Sequence, residues 1–347
     1  MSNLQIGLAI AGGLILAAVV AHGAWSSRRN APRQALPEAR HSGDSSASGP
    51  REPGLTEFEN TQPINQPPAV RRLAMDPLID VIATITIDAP HPVVSGEAAI
   101  AAMPSTRRAG TKPFAIEGHN LRTLNWEVPL AGQRYGSFQA GVQLANRSGA
   151  LNEIEYSEFV VKTQAFADAI NGTPDFPEML EEVARARELD QFAGAHDAQL
   201  GFTIRAQNAS WSPGYVQQNA ARLGFVAGVI PGRMVLPASV DGGAPVLVLS
   251  FDPQAALAED PAQSAIRDIA LHLDVAQVAR AERPFVRMRE TAAALAQTMD
   301  GVVTDDNGQL LNSQTMDVIG SELESLYDTL EQRDLAAGSL LARRLFA

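Results

Sequence analysis

Six histidines, His22, His41, His91, His119, His196 and His272, are the first residues to weigh for chemistry. No pair has the i, i+4 spacing with a glutamate that sets two imidazoles against zinc on one helix face. Cysteine is absent, which excludes disulfides, thiol nucleophiles and thiolate-held metal. The two lysines, Lys112 and Lys162, follow no glycine-rich phosphate loop, and no Gly-x-Ser-x-Gly elbow presents a serine. "TDDNGQ", residues 304–309, sets two acids beside Asn-Gly. The spacing is wrong for a calcium loop and the bidentate glutamate is missing, so the stretch reads as a tight turn. No catalytic residue, cofactor or metal is expected, and the chain does not read as an enzyme.

The elements that must carry any binding surface begin near Asp76. "IDVIATITID" sets Ile79, Val81, Ala83, Ile85 and Ile87 on one face against Asp80, Thr84, Thr86 and Asp88, the alternation of a half-buried strand. "SGEAAIAAM" reads as a short helix, and "PFAIEGH", "LNWEV" and "GSFQAGVQLAN" as strands. "EFVVKTQAFADAING" is a helix with Phe159, Phe166 and Ile170 on one side, ending at Gly172. A second helix, "FPEMLEEVARARELDQFA", closes residues 76–198.

Residues 199–335 repeat the order. "LGFTIRAQ" is a strand and "SPGYVQQNAARLG" a helix opened by Pro213 and closed by Gly224. "FVAGVIPGRMVL" and "PVLVLSFD" are strands, and "IALHLDVAQV" alternates Leu271, Leu273 and Val275 against His272 and Asp274. Two amphipathic helices follow. One carries Phe285, Met288, Ala292, Leu295 and Met299 in a stripe, the other Met316, Ile319, Leu323, Leu326 and Leu330. The halves read as duplicates, with convergent patterning as the alternative. The expected class is α+β: an antiparallel sheet with helices on one face and the other face bare. Bare, that face leaves His272 at the surface. The tail, residues 336–347, ends in "SLLARRLFA" and is expected to fray after Gly338.

Residues 4–25 carry no charge, and about 20 such residues span the ~30 Å of a bilayer's hydrocarbon. Trp25 suits the interface, and Arg28 and Arg29 follow, which places the N-terminus outside and the body in the cytoplasm. A cleaved export signal is the alternative, with Val19-Val20-Ala21 as its cleavage site; a buried core helix is another. Residues 26–75 hold seven prolines, seven arginines and five acids, with few apolar residues, and read as a disordered linker. The whole chain has net charge −12, so the body repels phosphate backbones and nucleic acid is not expected as a partner.

An apolar run ending "AHGAWSSRR", a proline- and glutamine-containing tether and an α+β body together resemble the ZipA family of bacterial division proteins. The local matches are "HGAWSSRR", "LGFVAGV" and "AQTMDGVVTDDNGQLLNSQTMDVI". The last is similar to the family's Gly-Val-Val-x-Asp-Asp segment. The resemblance covers residues 1–30 and about 199–335, and not 76–198 residue by residue. It implies an inner-membrane anchor, amino terminus periplasmic, whose cytoplasmic domain binds the C-terminal tail of FtsZ at the division site. In the family that tail docks as a short helix in a shallow apolar groove on the open sheet face. Carried over by strand position, the floor would include Thr203, Ile230, Met234, Leu249, Phe251 and His272. A one-residue slip in facing would make the apolar ones core. The first half, near Phe138 or Val142, is the alternative seat. Thr203, Arg205, His272 and Asp274 make this face more polar than the family's. A membrane-tethered scaffold for another cytoplasmic protein, and an exported protein or enzyme freed after a signal cut, are the competing readings.

Overall fold

A computed structural model describes residues 32–35, 75–88, 93–260 and 263–347. The apolar run at 4–25 and nearly all of 26–75 lie outside the described residues; among those described, no helix is long and apolar enough to cross a membrane. The chain forms two units: an amino-proximal one ending at Phe192, and a carboxyl-terminal one from Ala193 that also gathers residues 32–35.

The amino-proximal unit contains β1 (Asp80–Ile87), α1 (Gly96–Ala102), β2 (Arg108–Ala109), β3 (Lys112–Asn120), β4 (Arg134–Gln143), α2 (Glu153–Ala169), β5 (Gly172–Asp175) and most of α3 (Met179–His196). Its strands pair antiparallel in the order β2-β3-β4-β1-β5. The alternation expected of β1 holds: Ile79, Val81, Ala83, Ile85 and Ile87 are all buried. Helix α2 starts on a full capping box, Asn152 with Glu155, which satisfies two of the orphan N–H groups at its end. It lays Phe159 and Phe166 against Phe114 and Phe138, with ring centroids 6.0 and 5.3 Å apart. The close packing requires a glycine at 118, because a Cβ there would stand 2.5 Å from the Tyr135 ring.

The carboxyl-terminal unit contains β6 (Gln199–Ala206), α4 (Pro213–Arg222), β7 (Val226–Ala227), β8 (Arg233–Leu236), β9 (Leu247–Ser250), α5 (Pro253–Leu257), β10 (Asp268–Asp274), α6 (Pro284–Met299), β11 (Gly301–Thr304), α7 (Ser313–Gln332) and α8 (Leu340–Leu345). The strand order is β7-β8-β9-β10-β6-β11, again antiparallel throughout. Set aside the short β7, and the strand order corresponds to β2-β3-β4-β1-β5, with α4, α6 and α7 in the places of α1, α2 and α3; among the described residues α5 and α8 have no counterpart in the other unit. The strand topology agrees with the repeat read in the sequence.

Helix α6 buries the whole expected stripe, Phe285, Met288, Ala292, Leu295 and Met299, and Phe285 meets Phe202 on the sheet at 6.3 Å. The terminus corrects an expectation: it does not fray. Ser339 caps α8, and Ala342, Leu345 and Phe346, spaced i, i+3, i+4, are buried as one face. Gln277 Nε2 donates to the Phe346 carbonyl at 2.6 Å.

Candidate functional site

The register of the carboxyl-terminal sheet decides which side chains share its uncovered face. Directly paired residues point to the same side, so one row runs Val226, Val235, Val248, His272, Gly201 across five strands. The next row on that face runs Arg233, Ser250, Ala270, Thr203, Thr304. Arg205 pairs with Asp268 at its edge, Nε to Oδ1 2.7 Å; this hydrogen bond and the facing charge raise the already high pKa of the guanidinium.

The row between these two points into the helices: Met234, Leu249, Leu271 and Phe202 are all buried. Three of the expected floor residues are thereby corrected. Met234 and Leu249 lie on the helix-covered side and Phe251 is buried beyond the end of β9, so none presents a surface. The reason is the two-residue period of a strand, by which a slip of one residue inverts the facing: each true surface residue, Val235, Val248 and Ser250, is the immediate neighbour of the one chosen. Thr203 and His272 do lie on the open face. Ile230 is exposed in the β7–β8 loop beside Val229, at the rim. In the other unit Phe138 and Val142 are fully buried, so neither offers a seat.

An open groove of about 680 Å³ lies over this face. Val248, Leu200, Leu273 and Pro245 give it apolar patches; Arg233, His272, Asp274 and Asp306 give it charge. His272 Nε2 and Ser250 Oγ stand 3.2 Å apart, within hydrogen-bond range. Asp306 comes from the turn after β11, which the sequence gives as a tight turn. Asp305 Oδ1 accepts from the N–H groups of Asn307 and Gln309 and closes it. The turn overhangs the sheet at residue 201, where a Cβ would meet Asp306 Oδ1 at 3.0 Å, so glycine there leaves the groove its depth. Sequence reasoning missed Arg233, Val235, Val248 and Asp306. In β8 and β9 apolar residues stand on both faces, so alternation did not single out the valines; only the fold brings Asp306 over the sheet.

The arrangement suits recognition. Its side chains can seat an amphipathic segment, with valines under the apolar stripe and polar groups along its flank. Residues 252–322 match the model of ZipA's C-terminal FtsZ-binding domain. The carboxyl-terminal unit is ZipA-like. The matched stretch takes in β10, α6, β11 and the Asp306 turn, and so supplies His272, Asp274 and Asp306 to the groove. No curated protein matches the chain.

Proposed function

We propose that this chain is a membrane-anchored cell-division protein that holds the C-terminal tail of FtsZ on the open face of its ZipA-like unit. It would thereby tether the Z ring to the inner membrane. The match of residues 252–322 to the FtsZ-binding domain of ZipA carries the reading. The valine row supports it physically: Val226 is 51% exposed and Val235 and Val248 are half-buried, so a docking helix gains apolar contact without any rearrangement of the sheet. A shallow seat gives modest affinity for one tail, which a filament presenting many tails multiplies. The uncharged run at 4–25 and the arginines after it support the anchor and its orientation. The protein acts by binding, without catalysis.

Titration of a labelled FtsZ tail peptide into the full chain should saturate, and Val235→Glu should abolish the signal. Equal binding by both proteins would remove the open face from the account. A periplasmic reporter fused after residue 75 should be inactive; an active one overturns the topology. The polarity of Arg233, His272 and Asp306 favours a second reading, a tethered scaffold for another cytoplasmic protein. Retention of the protein's partners after deletion of the FtsZ tail would support that reading over the first.

A further inference from the structure

Four residues of the segment that the sequence gives as linker, 32–35, are built into the carboxyl-terminal unit. Arg33 N–H donates to the Ser210 carbonyl at 2.7 Å, and Ser212 N–H donates to the Arg33 carbonyl at 2.9 Å. The two bonds bracket Trp211 as a parallel bridge, while Trp211 pairs antiparallel with Ile266 on its other side. The Arg33 guanidinium reaches the end of α6, Nη2 to Asp300 Oδ2 at 2.8 Å and Nη1 to the Met299 carbonyl at 3.3 Å. Ala35 lies 3.7 Å from where a Cβ would stand on Gly214, at the start of α4.

We infer that Ser210–Ser212 and the C-terminus of α6 form a binding site for an extended, arginine-bearing segment, and that residues 32–35 are its occupant. Two features fit a site that these residues fill. With the strap in place Ser210 and Ser212 are 4% and 2% exposed, and its two backbone bonds satisfy the Ser210 C=O and the Ser212 N–H. Asp300 occupies a left-handed position, φ 58°, just past α6, where Gly or Asn is the usual choice. A carboxylate there faces the negative end of the helix dipole and is unfavourable unless a cation joins it. Arg33 is that cation, and Asn208 Nδ2 donates to the same oxygen at 3.0 Å. In the amino-proximal unit the corresponding residue, between Ile170 and Gly172, is the neutral Asn171, φ 55°.

The consequence for reach rests on the membrane reading above. With Arg33 docked, only residues 26–32 separate the apolar run from the FtsZ-binding unit, at most about 24 Å of chain, whereas the full 50-residue stretch reaches about 170 Å. The strap thus holds this unit close to the bilayer, and its release lengthens the tether.

Timed trypsin digestion of the full chain, read by mass spectrometry, tests the strap. Cleavage after Arg33 should be about tenfold slower in the native protein than in Asp300→Asn, with the rate after Arg40 the same in both. A chain with 32–35 replaced by Gly-Ser-Gly-Ser should bind a labelled peptide of residues 30–38 saturably, about tenfold tighter than the native chain, whose site is filled. Equal cleavage after Arg33 in the two proteins, or no peptide binding to the emptied site, overturns the inference. The Asp300→Asn comparison keeps the test open if the replacement variant does not fold. Neither readout needs FtsZ or a bilayer. Failure here leaves the anchor reading standing, and a periplasmic body would leave the strap standing.

Discussion

The open face of the amino-proximal unit carries Ala115, Gly141 and Ile82 in one row and Glu117, Gln139, Thr84 and Asp175 in the next. Gln139 Nε2 bonds Glu117 Oε2 at 2.9 Å, and the Met75 sulfur lies over Gly141, 2.7 Å from where a Cβ would be. That face is small, internally bonded and partly covered from its own chain. The same strand order in the carboxyl-terminal unit carries three valines, His272 and an overhanging acidic turn. The cores differ as well. One unit packs a run of edge-on aromatic rings and a buried lysine, Lys112, whose ammonium donates to Asn146 Oδ1 and the Gly149 carbonyl. The other buries Trp211, Phe202 and Phe285 among leucines and methionines. One topology therefore supports a closed unit and a receptive one, and the difference rests on the outward-facing strand residues, which the core does not constrain.

The largest expected effect separates the units by stability. Phe159→Ala removes a fully buried ring that meets Phe114, Tyr156 and Phe176, and should cost the amino-proximal unit about 3–5 kcal/mol. Hydrogen exchange should show the loss across residues 75–192, with FtsZ-tail affinity unchanged. A matching fall in affinity would mean that the receptive unit depends on its neighbour. Next in size is Val248→Glu, which sets a charge at the end of the valine row, beside His272. Tail affinity should drop about 30-fold, roughly 2 kcal/mol, because the docked helix would bury an unpaired carboxylate. Thr84→Glu, on the open face of the other unit, should leave it unaltered. If the two substitutions weaken binding equally, the assignment of one receptive face fails.

Alternation and helical periodicity made most of this architecture legible. β1, α2 and α6 bury the side chains that their patterns select, and Ser212-Pro213 and Gly224 bound α4 as capping chemistry requires. The groove was harder. In β8 and β9 both faces carry apolar residues, Met234 beside Val235 and Leu249 beside Val248, so the pattern has no polar side to fix its phase. β10 was legible because His272 breaks the run of leucines. The docking of Arg33 left no local trace: its partners are Ser210, Ser212 and Asp300, distant in sequence, and four residues are too short for a period.

The helix-end comparison can be tested by exchanging residues. Asn171→Asp places a carboxylate at the negative end of α2 without a docked arginine, and should destabilise the amino-proximal unit by about 0.5–1 kcal/mol at low salt. In the carboxyl-terminal unit Asp300→Asn removes the same repulsion together with the Arg33 ion pair, so its net change should be smaller. Thermal melts of both at low and high salt would show it: the Asn171→Asp penalty should shrink with salt. A penalty independent of salt would point to backbone strain in place of the dipole.

The smallest effect concerns charge inside α3. Glu182 is 8% exposed; Oε1 accepts from Arg185 Nη1 at 3.1 Å, while Oε2 is buried without a hydrogen-bond partner. Burial raises its pKa above the ordinary 4.5, and the Arg185 charge only partly opposes the shift. The raised value fixes the sign. Between 4.5 and the folded pKa the folded unit binds more protons than the unfolded chain, so its stability falls as pH rises through that window. Below 4.5 both states are protonated and the contribution is fully present. Glu182→Gln keeps the shape and removes the titration. The two proteins should melt alike at pH 4, and the native chain should fall behind the variant by pH 7. Tyr156 reports the same charge: burial and then Glu182 push its hydroxyl up to about 12. Melts that favour the native chain at pH 7 would mean that the Arg185 pair outweighs the cost of burying the carboxylate.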